Sequence, residues 1–274
     1  MSPPRPALLP LLERVQALVE QAADYQCAQF RRQPPGVGDE KARHEWVSEV
    51  DRHSERLLIA GLQSLLPAAG VFGEESGRHG DQRLCWVIDP LDGTTNFLSG
   101  LDQFAISVAL QRDGRTELGI VYKPMMRECF RGWRGGRFEH NGVAVAPAAA
   151  PLALVRALIG TGFPYRSPDL APAFFGCAAE LLPRCRGIRR MGSAALDLSY
   201  VAAGYLQGFW EGDLQPYDVA AALLFLELSG CPVTNEHGEP YAIGHDRLLV
   251  CGWPSLHGEL LALVQRHYAR VGEA

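Results

Sequence analysis

The sequence predicts an α+β first half joined to an α/β second half, stacked as layers. Three observations predict it. Two amphipathic helical stripes open the chain, a run of strands with tight turns follows residue 70, and strands alternate with helices beyond residue 151. At 274 residues the chain makes one large domain or two modest ones.

The elements follow in order. Leu8, Leu11, Leu12, Val15, Leu18, Val19 and Ala22 fall at helical spacing, and this helix ends before Pro34-Pro35-Gly36. Residues 34–46 are polar with Gly and Pro, which predicts a mobile loop. Leu57, Leu58, Leu62, Leu65 and Leu66 form a second stripe, stopped by Pro67. Strands are predicted at 71–73, 84–88, 104–110, 118–122 and 128–133. Asp113-Gly114 and Asn141-Gly142 are hairpin turn signals. Residues 144–151 read as a linker, dividing 1–146 from 147–274. Beyond it come strands at 157–161, 206–210 and 248–251 and helices at 174–182, 193–203, 218–228 and 254–268.

Composition narrows the function. There are 26 Lys+Arg against 31 Asp+Glu, a formal charge of −5. That balance disfavours a nucleic-acid coat protein. The seven cysteines are odd in number and form no CxxC pair, which predicts free thiols in a reducing cytoplasm. Met1–Pro6 lacks the apolar stretch of a cleaved leader, and no run of about 18 apolar residues predicts a membrane span.

Three segments place acids where acids are costly: Phe72-Gly-Glu-Glu-Ser76, Cys85-Trp-Val-Ile-Asp-Pro-Leu-Asp-Gly-Thr-Thr-Asn-Phe97 and Trp210-Glu-Gly-Asp-Leu-Gln-Pro-Tyr-Asp218. Singly, Asp218 reads as a helix N-cap, Glu74-Glu75 as a solvated turn and Asp89–Asn96 as an Asx-rich turn. Together they say more. Asp89 ends an apolar strand where Pro90 is expected to stop the ladder, and Gly93 lets the chain turn so that Asp92 converges with it. Amides at Gly93, Thr94 and Thr95 would face an anion. Carboxylates beside an anion repel it unless a divalent cation intervenes, and all-oxygen donors favour Mg²⁺. No GxxxxGK[ST] is present, so this is no P-loop enzyme.

Gly73–Ser76, Trp86–Phe97 and Tyr217-Asp-Val-Ala-Ala221 resemble the three signatures of the inositol monophosphatase family of Mg²⁺-dependent, lithium-sensitive phosphatases. Val47–Asp51 resembles its upstream acidic motif. Ile159–Pro164 and Arg190–Leu198 resemble its bacterial inositol-1-monophosphatase branch. The resemblance spans nearly the whole chain and implies a layered αβαβα sandwich of the sugar-phosphatase type. It also implies roles. Glu74, Asp89, Asp92, Asp218 and the carbonyl of Leu91 would bind two Mg²⁺, with a weaker third ion near Glu74. Asp51 and Thr94 would orient and activate the attacking water, with Glu74 assisting. Amides at Gly93 and Thr94 would hold phosphate, and Glu211, Gly192, Ser193 and Ala194 would line the polyol pocket.

The reaction so implied is in-line hydrolysis of a small polyol phosphate by metal-activated water, with inositol 1-phosphate the first candidate. Histidinol phosphate is the nearest rival, followed by fructose 1,6-bisphosphate and 3′-phosphoadenosine 5′-phosphate. The resemblance implies a homodimer. Some bacterial relatives bind the transcription machinery, so an RNA polymerase association is the alternative of another class. The cluster Arg184, Arg186, Arg189 and Arg190 reads as a solvated or interface feature. The sequence departs from the family at Tyr217, where Trp is common, and at Lys123, which is expected at the surface. Lys41 is the loose match for the family's loop lysine and receives no role.

Overall fold

The structure, a computed structural model, describes residues 7–32, 38–42, 45–147 and 151–268, and only the backbone of residues 40–42, 45 and 46. Helix α1 (Leu8–Gln29) turns Leu11, Leu12, Val15, Val19 and Ala22 inward, as their spacing requires. The expected loop contains a two-stranded hairpin, β1 (Asp39–Ala42) and β2 (Glu45–Val47). Its residues 34–37, 43 and 44 lie outside the described residues.

Helix α2 (Glu49–Leu65) begins well before its leucine stripe. Its start is set by polar chemistry: Val50 N donates to the Ser48 hydroxyl at 3.1 Å, and Ser48 N donates to Asp51 Oδ2 at 2.9 Å. Such a capping box satisfies first-turn amides that apolar spacing does not reveal.

The first sheet is built from β3 (Gly70–Gly73), β4 (Gly77–His79), β5 (Leu84–Asp92), β6 (Ala105–Arg112), β7 (Arg115–Lys123), β8 (Glu128–Trp133), β9 (Phe138–His140) and β10 (Val143–Ala144), with helix α3 (Thr94–Leu98) after β5. The strand order is β10-β9-β8-β7-β6-β5-β3-β4. Only β3 and β5 pair in parallel. Asp113-Gly114 and Asn141-Gly142 take positive φ at both positions, as two-residue hairpin turns require. Pro90 does not end the ladder. The β5–β6 register breaks between Asp89 and Asp92 and resumes with Asp92 opposite Ala105, a bulge instead of a stop.

The second half contributes β11 (Leu158–Thr161), α4 (Ala171–Leu181), β12 (Gly187–Arg189), α5 (Ala194–Ala203), β13 (Gly208–Gly212), α6 (Pro216–Leu228), β14 (Val233–Thr234), β15 (Leu248–Gly252) and α7 (His257–Tyr268). Its sheet runs β12-β11-β13-β15-β14. Strands β4, β12 and β14 escape the sequence reading because two or three residues carry no periodic signal.

Five layers result. α1 and α2 cover one face of the first sheet, packing on Trp86, Ile88, Val108 and Ile120. α5 and α6 fill the space between its other face and the second sheet, with Val87, Ala221, Phe225 and Phe209 in one cluster. α4 and α7 close the far face of the second sheet through Phe174, Trp210 and Leu260. The continuous apolar run of β5 now has a cause: Trp86 and Val87 face different cores, so both faces are buried. α6 is apolar nearly all round because it too is buried between two sheets.

The middle layer sits close. A Cβ on Gly119 of β7 would fall 2.9 Å from Ala221 Cα on α6. Gly119→Val therefore forces α6 off the sheet, and such overpacking costs about 1–3 kcal/mol. A urea midpoint unchanged from wild type would contradict this packing.

Candidate active site

Parallel pairing places the first two acids. Gly73 is opposite Ile88, and Glu74 N donates to Ile88 O at 3.1 Å, so Glu74, one residue past β3, stands beside Asp89 of β5. The bulge then brings in Asp92, while Gln26 of α1 fixes it by donating to Pro90 O at 2.6 Å. Gly93 follows with φ +95°, where a Cβ would lie 2.9 Å from Gln103 O, so only glycine makes this turn comfortably. α3 starts at once, its ladder opening with Phe97 N to Gly93 O, which leaves the Gly93 and Thr94 amides ahead of it.

Two helix starts from the middle layer converge here. Asp92 Oδ2 accepts from Ser193 Oγ at 2.6 Å and from Ala195 N at 2.8 Å, capping α5 from β5. Asp218 is not the N-cap it resembles in sequence: α6 starts at Pro216 behind the N-cap Gln215, and Asp218 is the third helical residue, whose Oδ2 accepts from Gln215 N at 2.7 Å in a capping box. Glu74, Asp89, Leu91, Asp92, Gly93, Thr94, Gly192, Ser193, Ala194, Glu211 and Asp218 all line one pocket. Asp51 does not line it. The Thr94 hydroxyl, which does, donates to Asp51 Oδ1 at 2.8 Å and lies 3.0 Å from Leu91 O.

Burial and crowding shape the electrostatics. Asp89 is 2% exposed, and burial first, then the charges of Glu74, Asp92 and Asp218, hold its carboxyl well above the usual range. Burial raises Asp92 to about 6 against the opposing hydrogen bonds from Ser193 and Ala195. Glu211 is pushed up to about 8 by burial, then by Asp218 and Asp92, with Arg190 and Arg166 pulling it down. Asp51 is raised by burial, opposed by hydrogen bonds from Ser48 and Thr94.

The donor set suits a hard divalent cation: carboxylates and a carbonyl, with no His or Cys lining the pocket. A cation there would relieve the mutual repulsion that raises Asp89. Among the described residues no three acid, His or Cys side chains already stand gathered around one ion position. Two of the acids have an oxygen turned onto a helix start, Asp92 Oδ2 on α5 and Asp218 Oδ2 on α6.

Several lining residues escape the sequence reading. Asp197 lies in the Arg190–Leu198 segment, but its contribution needs the turn of α5 to bring it to the pocket. Phe163 belongs to the Ile159–Pro164 segment, whereas Tyr165 and Arg166 follow it on a loop without a motif. The basic cluster is not one feature. Arg184 pairs with Glu180 at 3.0 Å, Arg189 lies on the edge strand β12, and Arg190 enters the pocket wall. Lys123 is not at the surface: it is 8% exposed, and its Nζ donates to Gln103 Oε1 at 2.8 Å. Tyr217 packs edge-on against Phe72, with ring centroids 5.8 Å apart. Lys41 has no described side chain.

The model of the inositol monophosphatase family matches residues 10–269. The chain is 38% identical over 229 residues to the Nus factor SuhB of Escherichia coli K12, covering 81% of this chain and 84% of that one. It is 39% identical over 232 residues to the inositol-1-monophosphatase of Rhizobium meliloti, covering 82% and 85%. The crystal structure of the extragenic suppressor protein suhB of Bartonella henselae superposes with a TM-score of 0.88 at 30% identity, covering 95% of this chain and 99% of that one. Site motifs, five-layer fold and these likenesses agree: the chain belongs to the inositol monophosphatase family.

Proposed function

We propose that the chain is a Mg²⁺-dependent phosphomonoesterase that hydrolyses a small polyol phosphate, inositol 1-phosphate first among the candidates. One observation carries the reading: four carboxylates, Glu74, Asp89, Asp92 and Asp218, are confined together beside the leading amides of α3. Carboxylates so placed repel a phosphate dianion unless cations separate them. Glu74, Asp89, Asp92, Asp218 and the Leu91 carbonyl would hold two to three Mg²⁺. Bound Mg²⁺ supplies charge that acidifies water and stabilises the entering and leaving oxygens.

The chain's own groups do the positioning. Gly93 and Thr94 N–H groups would take phosphate oxygens at the head of α3. Thr94 Oγ1 gives its hydrogen to Asp51 Oδ1, so its lone pairs remain to accept from the attacking water. Asp51, held by Ser48 N, fixes that hydroxyl and offers a sink for the proton. Gly192, Ser193, Ala194 and Glu211 would flank the alcohol. The Rhizobium meliloti relative, named inositol-1-monophosphatase, supports the substrate.

A second reading has its own support. The Escherichia coli relative is named a Nus factor, and Arg184, Arg186 and Arg189 are exposed beside the edge strand β12. A contact with RNA polymerase would then coexist with hydrolysis. Retention of RNA polymerase by the immobilised chain at moderate salt supports it, and none retained argues against it.

Phosphate release from inositol 1-phosphate should disappear with a chelator, return with Mg²⁺ and fall with Li⁺. Asp92→Asn keeps the shape but loses the charge, and kcat should fall ~100-fold or more. Wild-type turnover by this variant would remove the metal assignment. Glu211 gives a pH test. Its folded-state carboxyl titrates near 8 against an ordinary 4.5, so the folded chain binds the extra proton between these values. Stability of the metal-free chain therefore falls as pH rises from 4.5 to about 8. Glu211→Gln should flatten that slope in thermal melts, and an unaltered slope would refute the shift.

A further inference from the structure

Asp197 stands in the first turn of α5 and lines the pocket, yet it is 1% exposed and its Oδ1 has no hydrogen-bond partner among the described residues. A buried carboxylate oxygen without a donor costs stability, and the charge of Arg190 opposes only part of that cost. Such a debt is retained where a ligand supplies the donor. Its neighbour in charge is Glu211, the strongest electrostatic influence on it after burial.

Glu211 approaches from β13, across Gly162, where a Cβ would fall 1.8 Å from its Oε1. Any larger residue at 162 would occupy the carboxylate's place. Arg166 and Arg190 line the same pocket, Arg190 lying over the rings of Phe163 and Tyr165 at 5.6 and 5.4 Å. Substrate hydroxyls would bring hydrogen-bond donors without adding charge to a pocket already lined by both signs.

We propose that Asp197 joins Glu211 in accepting hydrogen bonds from hydroxyls of the substrate's alcohol half, making Asp197 a specificity-determining residue. The site thereby selects polyhydroxylated phosphate esters over esters without hydroxyls. This inference rests on the phosphate-ester reading of the pocket. A site built to bind hydroxyls discriminates strongly against analogues lacking them, because its own polar groups are then left unpaired.

The test compares wild type, Asp197→Ala and Asp197→Asn on inositol 1-phosphate and phenyl phosphate. The ratio of kcat/KM for inositol 1-phosphate to that for phenyl phosphate should drop at least about tenfold in Asp197→Ala. Asp197→Asn, which keeps a carbonyl acceptor, should recover part of the ratio. The melting temperature of both variants should hold or rise. An unchanged ratio overturns the proposal. So does an equal loss on both esters accompanied by a lowered melting temperature, which marks a structural role. If wild type releases phosphate from no ester, the phosphatase reading falls, and calorimetric titration with inositol 1-phosphate and phenyl phosphate still decides Asp197. A selective affinity loss in Asp197→Ala upholds it; an equal loss or no binding overturns it.

Discussion

Like charges held together at the end of β5 are the constraint on which the rest of this structure depends. Asp89 is enclosed with Glu74, Asp92 and Asp218 around it, an arrangement that opposes folding. The chain offsets part of that cost with backbone dipoles. Leu91 N donates to Asp89 Oδ1 at 3.0 Å, the α5 start donates to Asp92 and the α6 start to Asp218. Helix N-termini carry partial positive charge, so two helices of the middle layer aim their favourable ends at one point. Removing either of these helices would leave the acids facing one another with less relief.

The same contacts join the two halves of the chain. Ser193 is the N-cap of α5, but its hydroxyl gives no cap to its own helix; it donates instead to Asp92 in the first sheet. Asn96 of α3 donates to Met191 O at 2.8 Å, again across the halves. An acid that serves as the cap of a distant helix cannot be exchanged for an apolar residue without loosening the middle layer. Site and packing are therefore one set of interactions here, and the middle layer is where a site defect becomes a stability defect.

Much of this was legible in the sequence, for identifiable reasons. Long stripes such as Leu8–Ala22 repeat often enough to define a helix face, and Asp113-Gly114 needs only two residues to specify its turn. The acids on β5 and before α6 announce themselves because ionised groups next to apolar runs are expensive. What stayed hidden depends on contacts between distant segments. The start of α2 is set by Ser48 and Asp51, which have no apolar period. The Asp89–Asp92 bulge depends on pairing with β6. Lys123 reads as a surface cation until Gln103 is known to meet it. Asp197 reaches the pocket only through the way α5 faces.

The distribution of the proposed ligands has a thermodynamic consequence. Glu74, Asp89 and Asp92 belong to the first sheet, Asp218 to α6, and Glu211 to the second sheet. A ligand that needs all of them can be held only when the middle helices are docked on both sheets. Binding to the native state but not to the undocked chain stabilises by linkage, in proportion to the logarithm of ligand concentration over its dissociation constant. The electrostatic debt concentrated at Asp89 is thus smallest when the site is filled. A chain that folds less stably alone than when occupied is the physical form that a functional cluster of buried acids must take.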